Sequence, residues 1–261
     1  MKKFLLMSAT ALSAVLSLGL TQAQAAPIPA GASCAGNCGT DTANGVVTLS
    51  PLAGTTAYLY VSTSGGLTGA GQLPGVGGDN GSLLTSPSFV AAAGAVLQFY
   101  FNYVTSDGTG YSDYAFAQLL DSGNSVVATL FTARTVSSGN TSPGSGLPSN
   151  DSTLTPATSA IIGGAPAWSE LGVYSGTCYA AGCGYTGWIR ADYTIAAAGT
   201  YSLTFGVTNV GDSAYDSGLA IDGVAVAGVE IISTTVPEPA SMALLGAGLV
   251  GVGLIRRRRR V

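Results

Sequence analysis

Leu97-Gln98-Phe99-Tyr100-Phe101-Asn102-Tyr103 is the stretch on which the fold turns. Its large apolar side chains fall on every second residue, the period of a strand with one face buried and the other wet. Tyr201, Leu203, Phe205 and Val207 repeat the pattern against Ser202, Thr204 and Gly206. Between the two, residues 114–120 and 125–131 flank Asp121-Ser122-Gly123-Asn124. That four-residue turn holds Gly and Asn, where a positive φ is easiest, so a β-hairpin is predicted. Working outward, residues 46–49, 57–61, 188–195, 219–226 and 229–232 bring the expected strands to about nine or ten. No segment between residues 27 and 235 sustains a helical period. The economical reading is all-β: an antiparallel β-sandwich of jelly-roll type over residues 27–235, long enough to bury a sizeable core.

Two stretches interrupt the strand rhythm. Residues 65–81 hold eight glycines and read as a flexible loop, while residues 137–166, rich in Ser, Thr, Pro and Gly, read as a surface excursion. The four cysteines are spaced Cys34-x3-Cys38 and Cys178-x4-Cys183, which favours two local disulfides across Gly-containing loops in an exported chain. All three connectivities of four cysteines stay open at this stage. A four-thiolate zinc site is the alternative that export and the spacings argue against.

The 261 residues carry a formal net charge of −4 and no histidine. Seven of the nine cations sit at the ends, so Arg134 and Arg190 face twelve acids between Asp41 and Glu230. A middle with a charge near −10 lacks the basic footprint that nucleic acid requires. Without His, and with no Lys between the ends, the Ser-His-Asp triad, the Cys-His pair, the His-ligated metal and the Schiff base are all excluded there.

The ends read as addresses. Lys2 and Lys3, the apolar run from Phe4 to Leu20 and the small residues Ala23, Ala25 and Ala26 predict a secretory signal peptide over residues 1–26. At the other end Pro237-Glu238-Pro239 breaks any regular element, because each proline fixes φ and removes a donor. Residues 240–255 then run without a charge and predict a short transmembrane helix. Arg256, Arg257, Arg258, Arg259 and Arg260 follow, a stop that stays on the cytoplasmic side by the positive-inside rule.

Those three ordered elements over residues 236–261 resemble the PEP-CTERM sorting signal of Gram-negative bacteria. The resemblance implies export by the secretion machinery and a stay in the inner membrane. It further implies processing by an exosortase-type transpeptidase at the Pro-Glu-Pro segment, then delivery to the cell surface or extracellular matrix of an exopolysaccharide producer. The tail transfers an address and no chemistry. The middle domain is loosely similar to the surface jelly-roll modules that precede such tails.

Candidate site residues fall in two groups. Asp107 and Asp113 lie in one Gly-rich turn, and Asp212, Asp216 and Asp222 lie where a loop enters the last long strand. Hard oxygens on a wrapping loop suit a structural calcium ion, set against plain turn-capping. Trp168, Tyr174, Tyr179, Tyr185 and Trp188 cluster around the second cysteine pair. Flat rings on a stapled loop are what a glycan-stacking platform needs, set against ordinary core packing. Enzyme chemistry would reduce to carboxylates, with Glu170 and Glu230 the only glutamates in the domain, and no catalytic residue is assigned. The expectation is a non-enzymatic surface or matrix protein with a structural or adhesive role. Exopolysaccharide recognition by a carbohydrate-binding module is the alternative, and a carboxylate glycosidase comes third.

Overall fold

The computed structural model describes residues 27–234. The expected signal peptide, Pro237-Glu238-Pro239 motif, transmembrane helix 240–255 and arginine tail therefore lie outside the described residues. Eleven strands build the domain: β1 Ser33–Ala35, β2 Asn37–Asp41, β3 Tyr58–Ser62, β4 Asn80–Thr85, β5 Val96–Thr105, β6 Tyr114–Asp121, β7 Val126–Arg134, β8 Thr153–Thr155, β9 Ile189–Thr194, β10 Gly199–Thr208 and β11 Ser217–Val226. They form two antiparallel sheets, ordered β1-β4-β10-β6-β7 and β8-β9-β5-β11-β3-β2. Short pairs extend the edges, among them Leu67–Thr68 on β4 and Val229–Glu230 on β11. From β3 to β6, and again from β9 to β11, successive strands alternate between the sheets, which gives the antiparallel β-sandwich of jelly-roll type.

The core follows from the period-2 patterns. Leu97, Phe99, Phe101 and Tyr103 of β5 point inward, with Leu219 and Ile221 of β11 beside them. Opposite lie Leu119 of β6, Phe131 of β7, and Leu203, Phe205 and Val207 of β10. Phe101 stacks on Phe131 across the sandwich at 3.7 Å, and Phe99 meets Phe205 edge-on at 5.4 Å. Burying each such ring contributes roughly 1.5–3 kcal/mol, so these four carry much of the inter-sheet adhesion.

A second apolar layer covers the outer face of the β5–β11–β3 sheet. Val47, Tyr58, Tyr60, Val104, Trp168, Leu171 and Ala220 form it. This explains why the alternation in β5 stops at Phe101: from there to Thr105 both faces are buried. Residues 46–49, expected as a strand, instead make a tight turn at Asn44 and Val47, with Val46 N–H donating to Ala167. Burial of Val47 under this layer, rather than strand pairing, is what its apolar character serves.

The glycine-rich loop 65–81 is pinned, contrary to the flexible loop expected. Leu73 packs on Tyr114 and Phe116, its N–H donates to Tyr114 Oη at 2.9 Å, and Tyr114 Oη donates to Gly77 O at 2.8 Å. Gly71 has φ +68°, and a Cβ there would sit 2.1 Å from Val207 O, so only glycine lets the loop lie against β10. The excursion 137–166 shields the open edge of β7: Gly144 N–H and Asp151 N–H donate to Thr132 O and Thr129 O, and Asp151 Oδ2 accepts Thr129 N–H at 2.8 Å. Covering an edge in this way blocks pairing with a second chain.

Both local disulfides are present, Cys34–Cys38 and Cys178–Cys183. The first clamps a corner. The chain leaves the first sheet at Ala35, turns through Gly36 at φ +98°, and enters the second sheet at Asn37.

Candidate functional site

At the end of the sandwich where β5 leaves Thr105 and β11 begins at Ser217, three loops meet. Loop 106–113 joins β5 to β6, loop 209–216 joins β10 to β11, and loop 175–183 carries the second disulfide. Backbone bonds zip them together: Tyr179 N–H donates to Ser106 O at 3.0 Å, and Thr109 donates through both N–H and Oγ1 to Ala181 O at 2.8 Å. Gly108 permits this approach, since a Cβ there would lie 2.6 Å from Ala180 O.

Three tyrosines crown these loops, and Tyr174, the residue before the disulfide loop, joins them. Tyr111 meets Tyr179 edge-on at 5.4 Å, Tyr179 meets Tyr215 at 5.0 Å, and Tyr215 stacks on Tyr174 at 4.7 Å. Tyr179 is 48% exposed and the other three are half-buried. Tyr215 reaches the cluster by taking φ +53°, a left-handed conformation that costs a bulky residue about 1 kcal/mol or more.

Acids lie beneath and beside the rings. Asp113 is fully buried, its Oδ2 accepting from Ser217 Oγ at 2.7 Å and its Oδ1 from Val210 N–H at 2.9 Å. Burial holds its carboxyl well above the usual carboxylate range, against the Ser217 bond and helped by the Asp107 charge. Asp107 is 1% exposed; Oδ1 accepts Gly108 N–H, while Oδ2 has no partner. Burial pushes Asp107 up to about 7, with Gly108 opposing and the Asp212 charge adding. Asp216 is buried beside Thr63, whose Oγ1 donates to it at 2.9 Å, and burial raises it too.

The structure divides the residues singled out from sequence. Tyr174 and Tyr179 join the exposed cluster. Trp168 is fully buried in the second apolar layer, its Nε1 donating to Tyr58 Oη at 3.0 Å and its ring lying where Gly218 has no Cβ. It is a core residue and cannot stack on a ligand. Trp188 and Tyr185 pack against the same layer, and Trp188 Nε1 donates to Thr48 O at 3.0 Å. Tyr111 and Tyr215 were missed, although each stands inside a loop whose aspartates had drawn notice. Among the acids, Asp222 lies far from the rest on β11, accepting from Ser50 Oγ. Among the described residues no three acids approach closely enough to hold one metal ion.

The cluster is an aromatic platform over an acidic base on a disulfide-stapled β-sandwich, a class of domain suited to work outside the cytoplasm. Residues 235–260 match the PEP-CTERM protein-sorting motif. The chain therefore carries an exosortase sorting signal, with export and surface anchoring as its consequence and an exosortase as its processing partner. No curated protein matches the chain in sequence. Among solved structures it is similar to a CBM4 structure (12% identity over 75% of this chain and 93% of that one, TM-score 0.32). It is also similar to the K1 cleaved adhesin domain of Lys-gingipain from Porphyromonas gingivalis W83 (13%, 76% and 94%, TM-score 0.35) and to the K3 domain of the same protein (16%, 75% and 94%, TM-score 0.31).

Proposed function

We propose that the chain is a structural, adhesive protein of the cell surface or extracellular matrix, and that it holds exopolysaccharide on the tyrosine platform. The single supporting observation is the contact of Tyr111, Tyr174, Tyr179 and Tyr215, gathered where loop 106–113 is bonded to the two loops beside it. Ring faces stack on the apolar faces of pyranoses, phenolic hydroxyls bond their substituents, and loops already fixed by Cys178–Cys183 lose little entropy on binding. Passage through the inner membrane of a Gram-negative bacterium belongs to the same proposal. A non-catalytic role fits the separation of the two domain glutamates. Glu170 O accepts from Ser62, which pairs with Gly218, whereas Glu230 pairs with Ala225 at the far end of β11.

The test is retention of the full chain, in detergent micelles, on immobilised polysaccharides that include the producer's own matrix. Saturable retention is expected, weakened about tenfold by Tyr179→Ala and further by Tyr215→Ala. Retention on no glycan, or retention indifferent to both substitutions, would overturn the platform reading.

A further inference from the structure

The opposite end of β11 carries a different site. Between Asp222 and Ala225 the register with β5 shifts, a bulge in an otherwise regular pair. Over this bulge opens a cavity of about 430 Å³, in the size range of small-ligand sites. Leu52, Val96 and Ala225 give it an apolar wall, and Gln98, Asp222 and Glu230 supply polar groups.

The geometry of the wall is set by the sequence at the bulge. Gly223 takes φ +63°, and a Cβ there would press on Leu52 Cδ2 at 3.0 Å. Ser50 Oγ donates to Asp222 Oδ2 at 2.5 Å and accepts Leu52 N–H at 3.2 Å, which ties the segment bearing Leu52 to the buried carboxylate. Asp222 Oδ1 accepts Gly223 N–H at 2.8 Å. The site is thus built before any ligand enters. Its charge is one-sided: two carboxylates line it and no cation does. Arg190, in register with Tyr100 on the neighbouring strand, is held by Asp192 at 2.7 Å and is not part of the lining.

We propose that this cavity binds a protonated amino sugar, one hexosamine unit of a polysaccharide. The exposed carboxylate of Glu230 would receive the ammonium group, with the buried Asp222 behind it, while Gln98 would take the ring hydroxyls, and Leu52 and Val96 the C–H face of the pyranose. The same carboxylates repel uronates and phosphates, and an acetylated amine forfeits the charge-assisted bonds. This site stands independently of the tyrosine platform, which lies roughly 26 Å away, the eight-residue rise from Ser217 to Ala225. Thr234 lines the cavity, and in sequence the sorting motif begins at the next residue. With both ends engaged, one molecule would cross-link two glycan strands.

The experiment is calorimetric titration of the full chain, in micelles at pH 6, with a glucosamine trimer and with its N-acetylated counterpart. Saturable binding of the glucosamine trimer is expected, about tenfold tighter than the acetylated trimer and weakened about tenfold by Glu230→Gln. Tyr179→Ala should leave it unchanged, which separates this site from the platform. Absent binding, binding indifferent to Glu230→Gln, or equal tightness for the acetylated trimer would overturn the proposal. So would an equal loss in Asp192→Asn, which would reduce the effect to general attraction by an acidic domain, or a loss in Tyr179→Ala, which would move the binding to the platform.

Discussion

Asp107 shows how a single residue can tie the stability of the site to pH. Its unpaired Oδ2 is shut away from water near Asp113 and Asp212, so the neutral acid is favoured up to about pH 7. In the unfolded chain the same carboxyl ionises near pH 4. Between those values the folded state binds more protons than the unfolded one, so stability falls as pH rises and the loss is complete above about 7. Asp113, Asp216 and Glu170, raised chiefly by burial, act in the same sense. Thermal denaturation between pH 5 and 8 should show a midpoint that declines up to about pH 7 and then levels, and Asp107→Asn should remove the part of the decline that ends there. A wild-type midpoint flat over that interval would refute the assignment. At this scale the sequence was readable in kind more than in place. It named Asp107 and Tyr179 as loop residues of interest, yet offered Trp168 as a surface ring. Indole is large and apolar wherever it stands; only the absence of a Cβ at Gly218 and the Tyr58 hydroxyl across from Nε1 make this one a core residue.

At the scale of elements, the two disulfides serve different ends. Cys34–Cys38 closes the corner between sheets, and Cys178–Cys183 closes the loop that presents Tyr179. By loop-closure entropy each short bridge contributes about 2 kcal/mol to stability. Replacing Cys178 and Cys183 by Ser should lower the melting temperature by about 4–8 °C, at 2–4 °C per kcal/mol for a domain of this size. It should also weaken polysaccharide retention beyond that modest change, because the platform loop is no longer held for binding. Unchanged retention in the double variant would show that the zipper from Tyr179 to Ser106 and from Thr109 to Ala181 suffices by itself. The hairpin of β6 and β7 was legible because its alternation and its turn residues agree. The pinned loop 65–81 was not: glycine content reads the same whether it permits motion or close contact, and the anchoring hydroxyl of Tyr114 lies about forty residues away.

For the whole molecule, folding and delivery are separable. Replacing Pro237 and Pro239 by Ala should leave an unprocessed chain in the membrane fraction, its mass unshortened, while Tyr179→Ala should be sorted normally. Normal surface delivery of the double proline variant would refute the role of the motif. The sequence by itself determined the all-β class, the oxidised cysteines, the acidic middle and the sorting address. Each of these is written in local period, spacing or composition, which survive in the unfolded chain. Tertiary structure alone decided which tyrosines meet, which tryptophan is buried, that Asp107 Oδ2 lacks a partner, and that a bulge in β11 underlies a cavity lined by two carboxylates. Those features arise where strands distant in sequence cross between sheets and bring their loops to a common end, and burial and contact are properties of that arrangement, absent from any single segment.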